Sequence, residues 1–248
     1  MGLKESGLRG SLRNVSVGID AIPDSVDNHW PIGETDTETL SDNVGNIDLN
    51  VIGGSLVSDS NSAEDHHYDL DGVDDRIIAE SSDSDHFTQV NEMTLLWWVK
   101  ADGANIDELD TVVNTSPDGG LAADNTYFWF DSGGQLEVRV NVDDNTSNDV
   151  AITIDRSTVF DDNWHLIGQR YRETNGDVEN SLWFDDANHT TKSMGGSVSM
   201  SGTEFSIGGA FDGSRRMADI EIDFGAFAQN FMADDDILNY YSLHPRSD

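Results

Sequence analysis

The chain of 248 residues contains no cysteine, which excludes disulfides and thiolate metal sites. No apolar run reaches the roughly 18 residues a membrane span needs, which argues against membrane insertion. Lysine is almost missing: Lys4, Lys100 and Lys192 are the only three. All basic residues together number 13 against 48 Asp plus Glu, a formal net charge of −35. Such a surface repels phosphate backbones and anionic headgroups, so nucleic acid is not an expected partner. The opening stretch MGLKESGLRGSLRNVSVGID has no continuous apolar segment and no paired arginines. It predicts neither a secretory nor a twin-arginine signal.

The acids are mostly aspartate, 36 Asp to 12 Glu, and the bases mostly arginine, 10 Arg to 3 Lys. Self-repulsion of this size is screened within about 3 Å at 1 M salt, so the composition suggests adaptation to near-saturating salt, as in a halophilic archaeon or a tailed virus infecting one. High net charge also marks disordered chains. Here, however, 6 Trp, 10 Phe and 5 Tyr supply enough aromatic mass to build a core.

The charge is unevenly spread. Lys4, Arg9 and Arg13 face only Glu5 in the first 13 residues, and residues 14 to 75 contain no Lys or Arg. With glycines at 2, 7, 10 and 18 interrupting any helix, residues 1–24 are expected to form an extended arm for assembly or anchoring, and residues 25–248 the body. Beyond Pro23 the chain is a series of short strands between Gly, Asn, Asp and Ser. The segment 94–100, TLLWWVK, is apolar at both alternating positions, as in a central strand. In 135–142 strict alternation sends Leu136, Val138, Val140 and Val142 inward, with Gln135, Glu137, Arg139 and Asn141 outward. Segments 126–130, 150–154, 164–171, 181–184, 204–209 and 220–228 continue the series, and only 232–242 carries a helical pattern. The expected fold is all-β: an antiparallel two-sheet jelly-roll sandwich with one short C-terminal helix.

Several local patterns occur in an order that resembles laminin G-like, concanavalin A-like jelly-roll domains. They begin with His29-Trp30-Pro31-Ile32, Thr39-Leu40-Ser41-Asp42 and Gly53-Gly54. Tyr68-Asp69-Leu70-Asp71-Gly72-Val73-Asp74-Asp75 resembles the family's F-D-G-x-D-D segment. Residues 93–100 resemble its F-T-x-x-x-W-V-K strand, and Asp162-Asn163-Trp164-His165 its W-H strand start. Leu182-Trp183-Phe184-Asp185 stands where the family has L-Y-V-D-G, with Asp186 in place of the glycine. Ile207-Gly208-Gly209, residues 217–222 and the closing helix at 233–241 complete the set, over residues 27 to 245.

The resemblance implies one structural Ca²⁺, which needs several hard oxygen ligands. Asp69, Asp71, Asp74 and Asp75 supply them, with Asp219 and Glu221 brought alongside by the last long strand. The stretch Asp219-x-Glu221-x-Asp223 places three carboxylates on one strand face, with Ile220, Ile222 and Phe224 on the other. It also resembles the start of the E-x-D-x-x-E signature of sandwich β-glucanases, which makes a carbohydrate-active hydrolase using Glu221 and Asp223 the alternative reading. Position 226 is Ala, however, so the second catalytic acid is missing. His66-His67 is assigned to a surface loop. Most tryptophans are expected in the core, while Trp30 and Tyr127 are the aromatics placed to face a sugar.

These readings favour a non-enzymatic structural or adhesion module. An extracellular type of fold without an export signal suggests assembly in a host cytoplasm and display on a virion surface, on the capsid as a turret or decoration, or on the tail. The arm would then join other virion proteins, the protein would be a homo-oligomer, and its loops would meet a host cell-surface glycan or glycoprotein. The fallback is a lectin-like cellular protein, extracellular or on the surface of a halophile.

Overall fold

The computed structural model describes residues 21–33, 38–60, 62, 65–79, 83, 85–88, 91–103, 111–114, 127–130, 134–143, 149–199, 205–209 and 218–245. The basic residues of the expected arm, Lys4, Arg9 and Arg13, lie outside them.

Two antiparallel sheets pack face to face. The front sheet runs, in spatial order, β14 (Ala187–Gly195), β13 (Asp177–Phe184), β12 (His165–Thr174), β7 (Glu92–Lys100), β16 (Asp219–Ala228), β5 (His66–Asp71) and β4 (Ser55–Ser58). Beyond the stretch of β16 that meets β5, the strand pairs with β1 (Asn28–Trp30) instead. The back sheet runs β11 (Asp149–Asp155), β10 (Gln135–Asn141), β9 (Tyr127–Phe130), β8 (Thr111–Asn114), β15 (Ser206–Ile207), β6 (Arg76–Ala79), β3 (Leu49–Ile52) and β2 (Thr39–Leu40). This is the expected jelly-roll sandwich, and the closing helix is present as α3 (Asp234–Tyr241). Two single turns, α1 (Asp85–Thr88) and α2 (Arg156–Val159), were not anticipated. Four residues are too few to show a helical period.

Alternation sends the apolar side chains inward as expected, but Glu137 and Asn141, expected outward, are buried as well, because β10 is covered by neighbours and Arg139 donates to the Glu137 carboxylate. Leu136, Val138 and Val140 of β10 are fully buried between the sheets. In β7, Met93, Leu95, Trp97 and Val99 enter this main core, while Leu96 and Trp98 enter a second cluster on the outer side of the front sheet. That second cluster is roofed by Ile237 and Tyr240 of α3, together with Ile22 and Val26. Ile22, inside the expected arm, is 7% exposed, so the chain has already docked on the body there. Trp30 does not face solvent: it is fully buried, stacks on Trp97 at 5.7 Å and donates its indole N–H to the Ile47 carbonyl at 2.7 Å. The side chain of Tyr127 lies outside the described set.

The alternation breaks in β16. Its register against β7 shifts between Ile222 and Gly225, the mark of a bulge. Ile220 and Ile222 face the main core, but Phe224 joins the outer cluster rather than following them inward. Gly225 then lies flat on the Trp97 indole, where a Cβ would come within 2.3 Å of the ring; only glycine fits that approach.

Turn chemistry is supplied by aspartate. Asp185 adopts φ 53° in the two-residue connection between β13 and β14, the left-handed geometry that Asp tolerates better than most residues. Asp42 serves another loop: its carboxylate accepts hydrogen bonds from the backbone N–H groups of His29, Val44, Gly45 and Ile47 and from the Asn28 amide.

A buried polar pair crosses between the layers. The Gln169 side chain of β12 donates to the Arg139 carbonyl (3.1 Å) and to Asn180 Oδ1 (2.9 Å). Asn180 of β13 in turn donates to the carbonyls of Val138 (3.2 Å) and Val150 (2.7 Å). Both amides are fully buried, so each bond prevents an orphaned polar group. Asn180→Ala is expected to cost about 1–3 kcal/mol, seen as a lower denaturant midpoint at constant salt; an unchanged midpoint would show that the amide does not lock the layers.

Candidate functional site

The register of β5, β16 and β7 builds a charged ladder on the outer face of the front sheet. Asp219 sits opposite Asp71, and Glu221 opposite both Asp69 and Lys100. The Lys100 ammonium donates to both Glu221 oxygens, at 2.8 and 3.0 Å, and lies 3.7 Å from Asp162. His67 Nε2 reaches Glu221 Oε2 at 3.1 Å, while the imidazole packs edge-on against Trp164. His67 is 4% exposed, so it is no surface-loop residue; β5 carries it into the sheet. Burial pushes the Glu221 pKa up, but hydrogen bonds and charge from His67 and Lys100 outweigh this and hold it below the usual carboxylate range. Asp219 moves the other way: burial, then the charges of Asp69, Asp71, Glu221 and Asp102, raise its pKa.

Of the six residues expected around Ca²⁺, Asp71, Asp74 and Asp75 converge, each offering one ligand atom within 4.8 Å of the others. Asp71 ends β5, and Asp74 and Asp75 lie on the β5–β6 connection. Within it Asp75 Oδ2 accepts the Asp71 N–H and Asp71 Oδ1 accepts the Val73 N–H. A donor set of hard carboxylate oxygens suits calcium. Asp69 and Asp219 flank the cluster on the sheet face through the Asp71 register, whereas both oxygens of Glu221 are engaged by the Lys100 ammonium.

The alternative catalytic pair is separated by the bulge. Asp223 has no exposure and is bonded through Oδ2 to His244 Nε2 at 3.1 Å. His244 is itself sealed against Trp98, with ring centroids 4.0 Å apart. A glycosidase needs two carboxyl groups flanking a bond in an open cleft; here one is enclosed and the other is neutralised by a lysine.

A site not anticipated from sequence lies at the β11 edge. An open groove of about 300 Å³ is lined by Gln135, Thr153, Asp155, Thr158, Phe184 and His189, with Ile154 at its base. These residues come from β10, β11, α2, β13 and β14, and no local motif links them. A second groove of about 510 Å³, lined by Glu38, Thr39, Asn50, Val51, Gly53 and Gly54, carries no aromatic side chain among the described residues.

No protein-family model and no curated protein sequence matches the chain. Solved structures do. The binding domain of Paraclostridial Mosquitocidal Protein 1 superposes with TM-score 0.64 at 15% identity, over 88% of this chain and 52% of that one. The receptor-binding domain of botulinum neurotoxin mosaic serotype C/D gives 0.62 at 12% identity, over 88% and 50%. The binding domain of botulinum neurotoxin DC, in complex with SialylT, gives 0.61 at 15%, over 90% and 52%. The chain thus spans about half the length of these neighbours. At such identity the likeness shows the fold: a β-sandwich of jelly-roll type.

The outer cluster has a pH consequence. His29 is fully buried between Phe224 and Tyr240. Burial lowers its pKa from 6.5 to about 4, against the opposing pull of the Asn43 hydrogen bond and the charges of Asp42 and Asp223. The unfolded chain therefore binds a proton near pH 6.5 that the folded chain refuses until about pH 4. Stability should fall as pH drops through that window, by about 1.4 kcal/mol per unit, and this contribution should be flat above it. Denaturant midpoints for the wild type and His29→Gln between these limits would check this, the variant showing a shallower slope; equal slopes would refute it.

Proposed function

We propose that the chain is a non-enzymatic binding module whose partner is a glycan or glycoprotein on a cell surface. The observation that carries this reading is a sandwich shared over 88% of the chain with a receptor-binding domain. The sealing of Asp223 and the ion pairing of Glu221 support it against hydrolysis. The finer proposal is display on a virion of a haloarchaeal virus, as a capsid turret or decoration or a tail component. In that setting the basic arm of Lys4, Arg9 and Arg13 holds a homo-oligomer to acidic neighbouring virion proteins. Its support is the charge contrast between the arm and a body of opposite sign.

The binding reading predicts that purified protein, assayed in about 2 M salt to keep its charges screened, attaches to halophilic host cells and loses attachment when their surface glycoproteins are stripped. Attachment to no cell type would overturn it. For the virion proposal, mass spectrometry of purified particles should find the protein, and deleting residues 1–20 should abolish particle attachment while leaving the sandwich folded, since Ile22 remains to dock. Particles that lack the protein would end that proposal.

The Ca²⁺ proposal rests on Asp71, Asp74 and Asp75, with Asp69 and Asp219 beside them. Adding a chelator at fixed high salt should lower the melting temperature; a melting temperature that does not move removes the ion.

A further inference from the structure

We propose that the groove along the β11 edge is a saccharide subsite, and that it takes a neutral sugar rather than a sialylated or sulfated one. This rests on the glycan-binding reading above and names a place and a class of ligand for it. A pyranose presents an apolar C–H face rimmed by hydroxyl groups. Its receptor therefore needs a partly open aromatic ring beside a few fixed polar groups. Phe184 supplies the ring: it closes β13 at the margin of the main core and stays partly exposed.

The ring is held from behind. His165 packs against it with centroids 4.8 Å apart. That imidazole is itself fixed at both nitrogens, by Asp185 at 2.9 Å and Asp161 at 3.0 Å. The floor of the groove is thus set before any ligand arrives, which reduces the ordering cost of binding.

The polar rim is equally constrained. Gln135 and Asp155 are cross-strand partners, and the amide donates to Asp155 Oδ1 at 3.0 Å. This pins the carboxylate at the groove edge as an acceptor for sugar hydroxyls. Thr153 from the same strand and Thr158 from α2 add hydroxyls, and His189 of β14 closes the far side. A volume of about 300 Å³ is at the small end of ordinary ligand pockets, which suits one or two sugar rings rather than a long chain.

Charge selects the class. Among the described residues the lining contains a carboxylate and neither lysine nor arginine, in a protein of net charge −35. A sialic acid carboxylate or a sulfate would meet Asp155 with no lysine or arginine among the described lining residues to receive it. A neutral hexose carries no such penalty.

The test is a calorimetric titration of the full chain in about 2 M salt with lactose, cellobiose, maltose and 3′-sialyllactose. At least one neutral disaccharide should bind, at least about tenfold tighter than 3′-sialyllactose. Asp155→Ala and His189→Ala, both at exposed positions, should each weaken it by about tenfold or more with the melting temperature unchanged. Phe184→Leu, which keeps an apolar side chain but removes the ring, should weaken binding to a similar extent. Neutral-sugar binding that survives all three variants would overturn the groove while leaving the glycan-binding reading intact. Equal affinity for 3′-sialyllactose would overturn the neutral class. Wild-type protein that attaches to cells yet binds none of the four sugars would also overturn the groove, whereas failure of cell attachment as well would overturn the reading beneath it.

Discussion

The middle of the front sheet, centred on β7, is buried on both faces, and most of the architecture follows from that. A sandwich sheet ordinarily hides one face and shows the other to water. Here Leu96, Trp98, Trp183 and Phe224 project away from the main core and require a cover of their own. The chain provides it with α3, the segment leading into it, and the stretch around Ile22. Arg170 ties this cover down: buried on the outer face, it donates to the Met232 carbonyl at 2.6 Å, pairs with Asp234 and lies over the rings of Phe231 and Trp183. The bulge in β16 serves the same end by turning Phe224 outward into the covered cluster. The exposed working surface is consequently pushed to the sheet edges and the connecting loops.

A second constraint is the scarcity of positive charge. The few described cations act at joints: Lys100 binds Glu221 across strands, Arg172 pairs with Glu179 while lying over Phe231, and Lys192 reaches from β14 to the Ala151 carbonyl on the edge strand β11. Aspartate, present in excess, takes over work that glycine or a hydroxyl side chain often does. Asp185 forms a left-handed turn, and Asp42 gathers a ring of backbone donors. The acid excess is thus partly structural, and a cluster of carboxylates here is weak evidence for chemistry. Glu221 and Asp223 illustrate this, since one is a salt-bridge partner and the other a buried hydrogen-bond acceptor.

Much of the fold was legible because alternation along a strand is a local property. Residues 94–100 announced burial on both faces, 135–142 announced an inward apolar row but not the burial of Glu137 and Asn141, and Asp234 to Asp236 before Ile237 announced a helix start. Alternation failed at Phe224, because a bulge is set by what the neighbouring strand presents, here the Trp97 ring against Gly225. It failed also at His67 and Trp30, whose surroundings come from segments distant in sequence. Asp71, Asp74 and Asp75 converge because they are near one another in sequence, around one turn.

Composition and periodicity by themselves determined an all-β sandwich with an acidic surface, free of disulfides, closed by a helix and preceded by a basic segment. They act through local rules: charge counts, side-chain direction and turn preference. The tertiary structure alone decided which carboxylates are sealed, paired or clustered, and it alone assembled a groove from five separate elements. Burial and hydrogen bonding are properties of neighbours in space, and in an antiparallel sandwich those neighbours come from strands far apart in the chain.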